Sequence, residues 1–333
     1  MSRSEFDNAL ILTGPTGSGK SRLALTLAER LGAEIVCMDS MTLYRGMDIG
    51  TAKPDAADRR RVSHHLLDVL DPWESASVAW WLERAAACCR EIEAQGRRIL
   101  LVGGTPLYLK ALLYGLFDGP PADPAVRQRL EAEAATHGRE ALHARLAAVD
   151  PATAARLHPN DLRRMVRALE VFELTGRPIS DWQTQWRKEG ETKNEKRKTK
   201  NEKSSLVPRS SFLVPRSSLP RCLWLDLPRP ILFERINRRV EAMIVAGLIE
   251  EAQRLQELGR PLSREASQAA GYAEVFAYLD GRVALAEAVN RMQTRTRKLA
   301  KRQITWFRHL PPCQPVTEEL TFPAWGLTMD NAP

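Results

Sequence analysis

A chain of 333 residues with a formal charge of +8 has room for one large domain or two of ordinary size. Hydrophobic residues make up 44%, enough for a substantial core, and no apolar run reaches the roughly 18 residues that a membrane span needs. The polar start, Met1 to Asn8, leaves no space for a signal peptide ahead of the first apolar run. A cytoplasmic protein, monomeric and without a membrane partner, is expected.

The charge is unevenly placed. From Arg187 to Ser218 ten Lys and Arg face four Glu, so that stretch alone carries +6 and the rest of the chain only +2. Bulk charge therefore says little about the folded body. The five cysteines, Cys37, Cys88, Cys89, Cys222 and Cys313, are scattered and form no C-x-x-C pair. That spacing predicts reduced, mostly buried thiols and argues against structural zinc. His64 and His65 are adjacent, a poor geometry for sharing one metal.

Taken in chain order, Ala9 to Leu12 reads as a buried strand. Lys20 to Leu31 reads as a helix stopped by Gly32, and Glu34 to Met38 as a second strand. An amphipathic helix follows over Ser77 to Gln95, then a buried strand over Arg98 to Val102. This alternation predicts an α/β fold, a parallel sheet flanked by helices. From Asp123 to Gln185 the pattern turns purely helical, an all-helical insert. Thr192–Lys196 then recurs as Thr199–Lys203, and Leu206–Ser211 as Leu213–Ser218, a polar repeat whose composition predicts a disordered surface insertion. Arg221 to Leu227 reads as a returning strand. The last helix runs from Val283 to about Arg308, with Leu285, Val289, Met292, Thr296, Leu299, Gln303 and Trp306 as its inward stripe and Arg297, Lys301 and Arg302 off it. The expected divisions are residues 1–118 and 219–312 for the core, 119–186 for the helical insert, 187–218 for the repeat and 313–333 for a C-terminal tail.

Gly14-Pro15-Thr16-Gly17-Ser18-Gly19-Lys20-Ser21 matches the phosphate-loop pattern G-x-x-x-x-G-K-[ST] and sits between a strand and a helix, as its mechanism requires. Its glycines let backbone N–H groups curl around phosphate oxygens, the helix N-terminus adds its dipole, Lys20 brings a mobile cation, and Ser21 can ligate Mg2+. The loop binds a polyphosphate or diphosphate without naming the reaction. The strand Ile99–Val102 runs into Gly103-Gly104-Thr105 with no acid to hold nucleotide magnesium, which weakens ATPase and GTPase readings. Asp39 follows the second strand instead. Ligands of open parallel sheets sit beyond the strands' C-terminal ends, so Asp39, Lys20 and Thr105 should converge. At this stage Asp39 could hold magnesium, cap a turn or act as a general base.

Together these motifs resemble the tRNA dimethylallyltransferase (tRNA isopentenyltransferase) family. The resemblance runs through the phosphate loop, Asp39-Ser40-x-x-x-Tyr44, Gly46-Met47-Asp48-Ile49-Gly50-Thr51-Ala52-Lys53-Pro54, and His65-Leu66-Leu67-Asp68. It continues with Gly103-Gly104-Thr105-x-x-Tyr108, His158-Pro159-Asn160-Asp161 and Arg167-Ala168-Leu169-Glu170-Val171. Gly271-Tyr272 and Arg297-x-Leu299-Ala300-Lys301-Arg302-Gln303-x-Thr305-Trp306 complete it. It covers residues 8 to 185 and 220 to 309.

The resemblance implies transfer of a dimethylallyl group from dimethylallyl diphosphate to the N6 amine of adenosine 37, beside the tRNA anticodon. It implies that Asp39 is the general base, that Thr105 positions base or diphosphate, and that Asp39, Ser40, Met41, Thr42 and Thr105 meet the tRNA. It places Arg163, Arg164 and Arg167, with Arg127, on the helical insert where the family contacts tRNA. Arg235, Arg239, Arg297, Lys301 and Arg302 are candidate phosphate contacts. Two positions depart from the family pattern, Thr42 where Gln is frequent and Ala273 where a basic residue is usual; both touch recognition. The rivals are an ATP-dependent small-molecule kinase, a nucleic-acid-binding protein with a regulatory nucleotide site, and a transferase acting on free adenine nucleotides. None of them uses the loop, Asp39 and the helical insert together.

Overall fold

The computed structural model describes residues 6–117, 119–183, 221–319, 321 and 325. The repeat predicted over 187–218 lies outside the described residues. The chain divides into two compact units, Met1–Leu113 with Ser211–Pro333, and Tyr114–Ser210. The first boundary thus falls five residues earlier than the sequence suggests, near the end of a helix rather than after it.

The first unit opens with β1 (Leu10–Thr13), α1 (Lys20–Leu31), β2 (Ala33–Cys37), α2 (Ala56–Arg61), β3 (His64–His65), α3 (Val78–Ala94), β4 (Arg98–Gly103) and α4 (Pro106–Tyr114). The second holds α5 (Pro124–His137), α6 (Arg139–Val149), α7 (Pro151–Ala154), α8 (Leu162–Thr175) and α9 (Ile179–Trp182). The chain then returns through β5 (Arg221–Leu225), α10 (Arg229–Val245), α11 (Leu248–Gln256), α12 (Arg264–Ser267), α13 (Tyr272–Leu279), α14 (Leu285–Arg308) and β6 (Cys313–Val316).

The sheet runs β3-β2-β4-β1-β5-β6, with every pairing parallel. Helices cover both faces of such a sheet, so its central strands are apolar without alternation; all five residues of β2 are buried. The one acid among them, Glu34, accepts from Arg97 at 2.9 Å and lies 2.6 Å from His65 Nε2. Burial alone would raise its pKa, but these two partners outweigh it and hold the carboxyl below its usual range. Trp81 of α3 is fully buried, stacks on Tyr108 of α4 at 4.5 Å between ring centroids, and donates to the Cys37 carbonyl. This packing fixes both flanking helices against the end of β2.

Two expectations are corrected. Residues 313–316 are not tail but the sixth strand. Four residues containing Pro315 carry too weak a signal to read as a strand, and proline is tolerated because β6 is an edge. Cys222 and Cys313, expected as thiols, form a disulfide. They stand opposite each other in the β5–β6 register, a proximity that 91 residues of separation conceals. Cys37, Cys88 and Cys89 are not disulfide-bonded.

α14 is helical as expected. Its buried residues are Ala288, Met292, Thr296, Ala300, Gln303, Ile304 and Phe307. Met292, Thr296 and Gln303 keep their places in the stripe, while Leu285, Val289, Leu299 and Trp306 are only half-buried. The stripe is rotated because small alanines, invisible to a count of large apolar residues, make the closest approach.

The helical insert has its own core, built on Leu130, Leu142, Leu146, Met165, Val166 and Leu169. Asp123 caps α5 by accepting from Ala125 and Val126 N–H, with Pro124 in the first turn, the arrangement that relieves unpaired donors at a helix start.

Candidate active site

β1, β2 and β4 end side by side, and their C-terminal loops make the site. β1 leads into the phosphate loop, where Gly17 (φ +83°) and Gly19 (φ +91°) take left-handed backbone conformations that side chains resist. Gly19 is the N-cap of α1, so the loop's N–H groups and the helix dipole face one spot. At the end of β4, a Cβ on Gly103 would lie 1.9 Å from the Met38 carbonyl. Only glycine lets the β2 and β4 loops approach this closely.

Asp39 emerges there. Its Oδ1 accepts from Met41 N–H at 2.9 Å, and Thr42, 8% exposed, donates its hydroxyl to the Asp39 carbonyl at 3.2 Å. The turn-capping reading of Asp39 is thus true of one oxygen. Thr105 Oγ1 accepts from Ser40 N–H at 3.0 Å and Thr105 N–H donates to the Met38 carbonyl at 3.3 Å, so Thr105 holds the Asp39 turn. Lys20, Asp39, Ser21, Thr42, Cys37 and His64 share the lining of a cavity of about 100 Å³. A wider cavity of about 600 Å³ adjoins it, between the Asp48–Ala56 stretch and α10, and Arg239, Ala52 and Pro54 line both.

Burial lowers the Lys20 pKa to about 8; Asp39 pulls it back up and Arg239 pushes it further down. Burial also lowers the Arg239 pKa, and Asp39 opposes the shift. Arg239 donates from Nη2 to the Thr16 hydroxyl at 2.5 Å. Its Nε, like the Ser18 hydroxyl, is buried with no hydrogen-bond partner among the described residues. Buried polar groups are normally paired, so the orphaned Arg239 Nε, in the cavity it shares with Lys20, describes a seat for an anion. Cys37 is pushed by burial up to about 12 and stays a thiol. Burial lowers the pKa of His64, whose Nδ1 lies 2.8 Å from the Val62 carbonyl. Cys37 and His64 are therefore uncharged near neutral pH, although Asp58 lines the same cavity.

Of the candidate phosphate contacts, two reach the loop. Arg239 does so as described, and Arg235 lies 3.4 Å from the Ser18 carbonyl. The other three do not join them. Arg297 donates to Asn237 and Thr294, Lys301 lies over the Phe233 ring, and Arg302 is exposed on α14. Arg297 and Lys301 thus turn toward α10, while the buried face of α14 is the part that meets the loop.

On the insert, Arg127 grips Glu170 through two nitrogens at 2.8 and 3.0 Å. Arg167 bonds Glu170 at 2.6 Å and the Pro120 carbonyl at 2.8 Å. Glu170 is fully buried; burial would raise its pKa, but the two arginines outweigh it. These arginines thus have a structural task that the sequence reading missed. Arg163 and Arg164 are exposed, the latter 3.3 Å from Asp161.

Two residues without an assigned role in the site prove central. Glu251 of α11 is 3% exposed and accepts from the N–H groups of Asp48, Ile49 and Gly50 and from the Tyr272 hydroxyl. This shapes the Gly46–Pro54 wall, and Gly50 has no room for a side chain because a Cβ would lie 2.4 Å from the Tyr272 ring. Gln303 accepts from Thr16 N–H at 2.9 Å and donates to the Gly104 carbonyl at 2.7 Å. For Gln303 the signal was present, a polar residue in an inward stripe. Glu251 offered none beyond its charge.

Fold and site define an α/β protein with a phosphate-binding loop whose neighbouring acid follows β2 rather than β4. The family model described as IPP transferase matches residues 42–310. A tRNA dimethylallyltransferase from Geobacter metallireducens is 46% identical over 310 residues, 92% of each chain, and one from Geobacillus kaustophilus is 42% identical over 92% of this chain and 89% of its own. The full-length tRNA isopentenylpyrophosphate transferase of Bacillus halodurans superposes with a TM-score of 0.62 at 37% identity, covering 94% of this chain and 90% of that one. A eukaryotic dimethylallyltransferase solved acting on tRNA shares the fold at a TM-score of 0.69 and 24% identity, over 95% of this chain and 75% of its own. The chain belongs to the IPP transferase family, the family of tRNA dimethylallyltransferases.

Proposed function

We propose that this enzyme, a prenyltransferase acting on tRNA, moves the dimethylallyl group of dimethylallyl diphosphate to N6 of adenosine 37 in the anticodon stem-loop, releasing diphosphate. The observation that carries the reading is the meeting of Asp39 with Lys20 and Arg239 in one cavity where a buried donor, Arg239 Nε, lacks a partner.

As the carbon–oxygen bond breaks, negative charge gathers on the diphosphate. The N–H groups of Gly17 to Ser21, the Lys20 ammonium and the Arg239 guanidinium are preorganised against that charge. Neutral Cys37 and His64, with Leu25, Ile35, Leu67 and Val102 in the same lining, suit the allylic carbons. Asp39 keeps one carboxylate oxygen on Met41 N–H, leaving the other to take the proton that the N6 amine loses as it attacks. Placement matters more than basicity for a proton released only as the bond forms. The adenine must leave its stack to reach this cavity, at about a few kcal/mol, and an anticodon loop makes that exchange easy. Exposed Arg163 and Arg164 suit the RNA backbone, with Arg127 and Arg167 supporting the surface beneath.

Mg2+ is proposed as the accompanying cation. Among the described residues no group of three or more His, Cys, Asp or Glu could hold a metal. The Ser21 hydroxyl would hold an ion brought by the diphosphate, which would add charge stabilisation to the leaving group. No helix among the described residues is long and apolar enough to cross a membrane. We take the working protein to be a cytoplasmic monomer.

The test is transfer from labelled dimethylallyl diphosphate to unmodified tRNA bearing adenosine 37. Asp39→Ala should lower kcat by about 10²–10⁴-fold, the usual range for losing a positioned base, with tRNA binding retained. A wild-type protein that transfers no label, or a mutant with undiminished kcat, would overturn the reading.

A further inference from the structure

Gln303 stands where the sheet stops. The last ladder pair between β1 and β4 is Thr13 with Gly103, closed by the Thr13 hydroxyl on the Gly103 carbonyl at 2.7 Å. Past that pair the strands diverge into two loops that no further ladder bond joins. One is the phosphate loop. The other carries Gly104 and Thr105.

The side chain of Gln303 spans them. Its Oε1 receives Thr16 N–H and its Nε2 reaches the Gly104 carbonyl. The orientation is fixed by chemistry, since an N–H requires the amide oxygen and a carbonyl requires the amide nitrogen. The group is 6% exposed, and Ala300, Ile304 and Phe307 around it are buried, so its backbone cannot swing away. Gly104 has been kept small to allow the contact, because a Cβ there would sit 2.9 Å from Gln303 Nε2 and 3.3 Å from the Gly14 carbonyl.

Both ends lead to reacting groups. Thr16 also receives Arg239 on its hydroxyl. Gly104 precedes Thr105, whose hydroxyl holds the turn that presents Asp39. We propose that Gln303 is a positioning residue that sets the spacing between the diphosphate cradle and the general base. The inference rests on the reaction proposed above. The fold itself does not need the bridge, since the ladder and the Thr13 hydroxyl already join β1 to β4. What the bridge fixes is the separation of two loops that must act on opposite sides of one transferred carbon, one on the leaving diphosphate and the other on the attacking amine. A displacement on the order of 1 Å at such a point can cost about 10²-fold in rate.

Gln303→Met keeps the length and removes both hydrogen bonds. Gln303→Asn keeps the amide but is one methylene too short to reach both partners. Thermal melts establish folding, and Gln303→Asn carries the test should Gln303→Met not fold. Prenyl transfer and calorimetric binding of inorganic diphosphate with Mg2+ are measured for all three proteins. We expect kcat to fall about 30-fold or more in Gln303→Met, less in Gln303→Asn, with KM for tRNA unchanged. Diphosphate affinity should weaken in the same order, by about tenfold at most. Folded variants with wild-type kcat and diphosphate affinity would overturn the proposal, as would a loss confined to KM for tRNA. Should wild type bind diphosphate yet transfer nothing, the reaction reading fails while the calorimetry still decides whether Gln303 shapes the cradle. A wild type that does not bind diphosphate would overturn both.

Discussion

Lys20 is held at odds with its own charge. Its ammonium is pressed into the loop beside Arg239, and burial brings its pKa down to about 8 while the Asp39 carboxylate limits the fall. A diphosphate supplies what the site lacks and should restore the pKa toward its ordinary value. The sign follows directly. Below pH 8 Lys20 is already charged, so binding needs no added proton. Above pH 8 the free protein holds it increasingly neutral, and binding must take a proton up. Affinity for dimethylallyl diphosphate, measured without tRNA, should therefore decline as pH rises through about 8. The ligand's own phosphate protons are gone by then. Calorimetry in buffers of different ionisation enthalpy should register proton uptake between pH 8 and 10, lost in Lys20→Met. Affinity that is flat across this range would mean that the ammonium is not what holds the anion.

At the scale of elements, the Gly46–Pro54 wall depends on helices far from it in sequence. Three successive N–H groups, from Asp48 to Gly50, converge on Glu251, and Tyr272 adds its hydroxyl. Burial together with this acidic neighbour raises the Tyr272 pKa far above its ordinary value, so the hydroxyl stays a donor. Lys53 secures the other side of the wall by bridging Asp48 at 2.7 Å and Asp68 at 2.6 Å. Removing the acceptor leaves buried donors unpaired, at roughly 1–3 kcal/mol for each group that water cannot reach. Glu251→Ala should thus cost about 3 kcal/mol in all and lower the melting midpoint by roughly 6–12 °C. Tyr272→Phe removes one bond of four and should cost about 1 kcal/mol. A Glu251→Ala midpoint within about a degree of wild type would show that the wall holds without its clamp. The insert uses the same device, with Glu170 joining Arg127 and Arg167 across α5 and α8.

At the scale of the molecule, the chain is a parallel-sheet unit interrupted by a helical one. Residues 193–218 repeat a seven-residue register and are absent from the motifs that carry the family resemblance. Their deletion should leave kcat/KM for tRNA within about tenfold of wild type, a limit of roughly 1.4 kcal/mol. A larger loss, particularly one that shrinks as salt rises, would assign the basic repeat a part in gripping RNA.

The reaction class was legible only through the family resemblance, but the sequence by itself determined the fold class, the phosphate loop and the place of Asp39. These rest on local signals, such as an apolar run ending in a glycine-rich turn, or an acid one residue past a strand. Such features are fixed by backbone preferences over a few residues and survive without knowledge of neighbours. Tertiary structure decided the rest, because it depends on pairs separated by dozens to hundreds of residues. It brought Gln303 to Thr16 and Gly104, Glu251 to the Asp48–Gly50 amides, and Cys222 to Cys313. It also sorted the basic residues. Arg239 and Arg235 came to the loop, Arg297 and Lys301 found other partners, and Arg127 and Arg167 were drawn onto a buried acid. A charge in a helix reads the same along the chain whichever way it faces; only packing selects its partner.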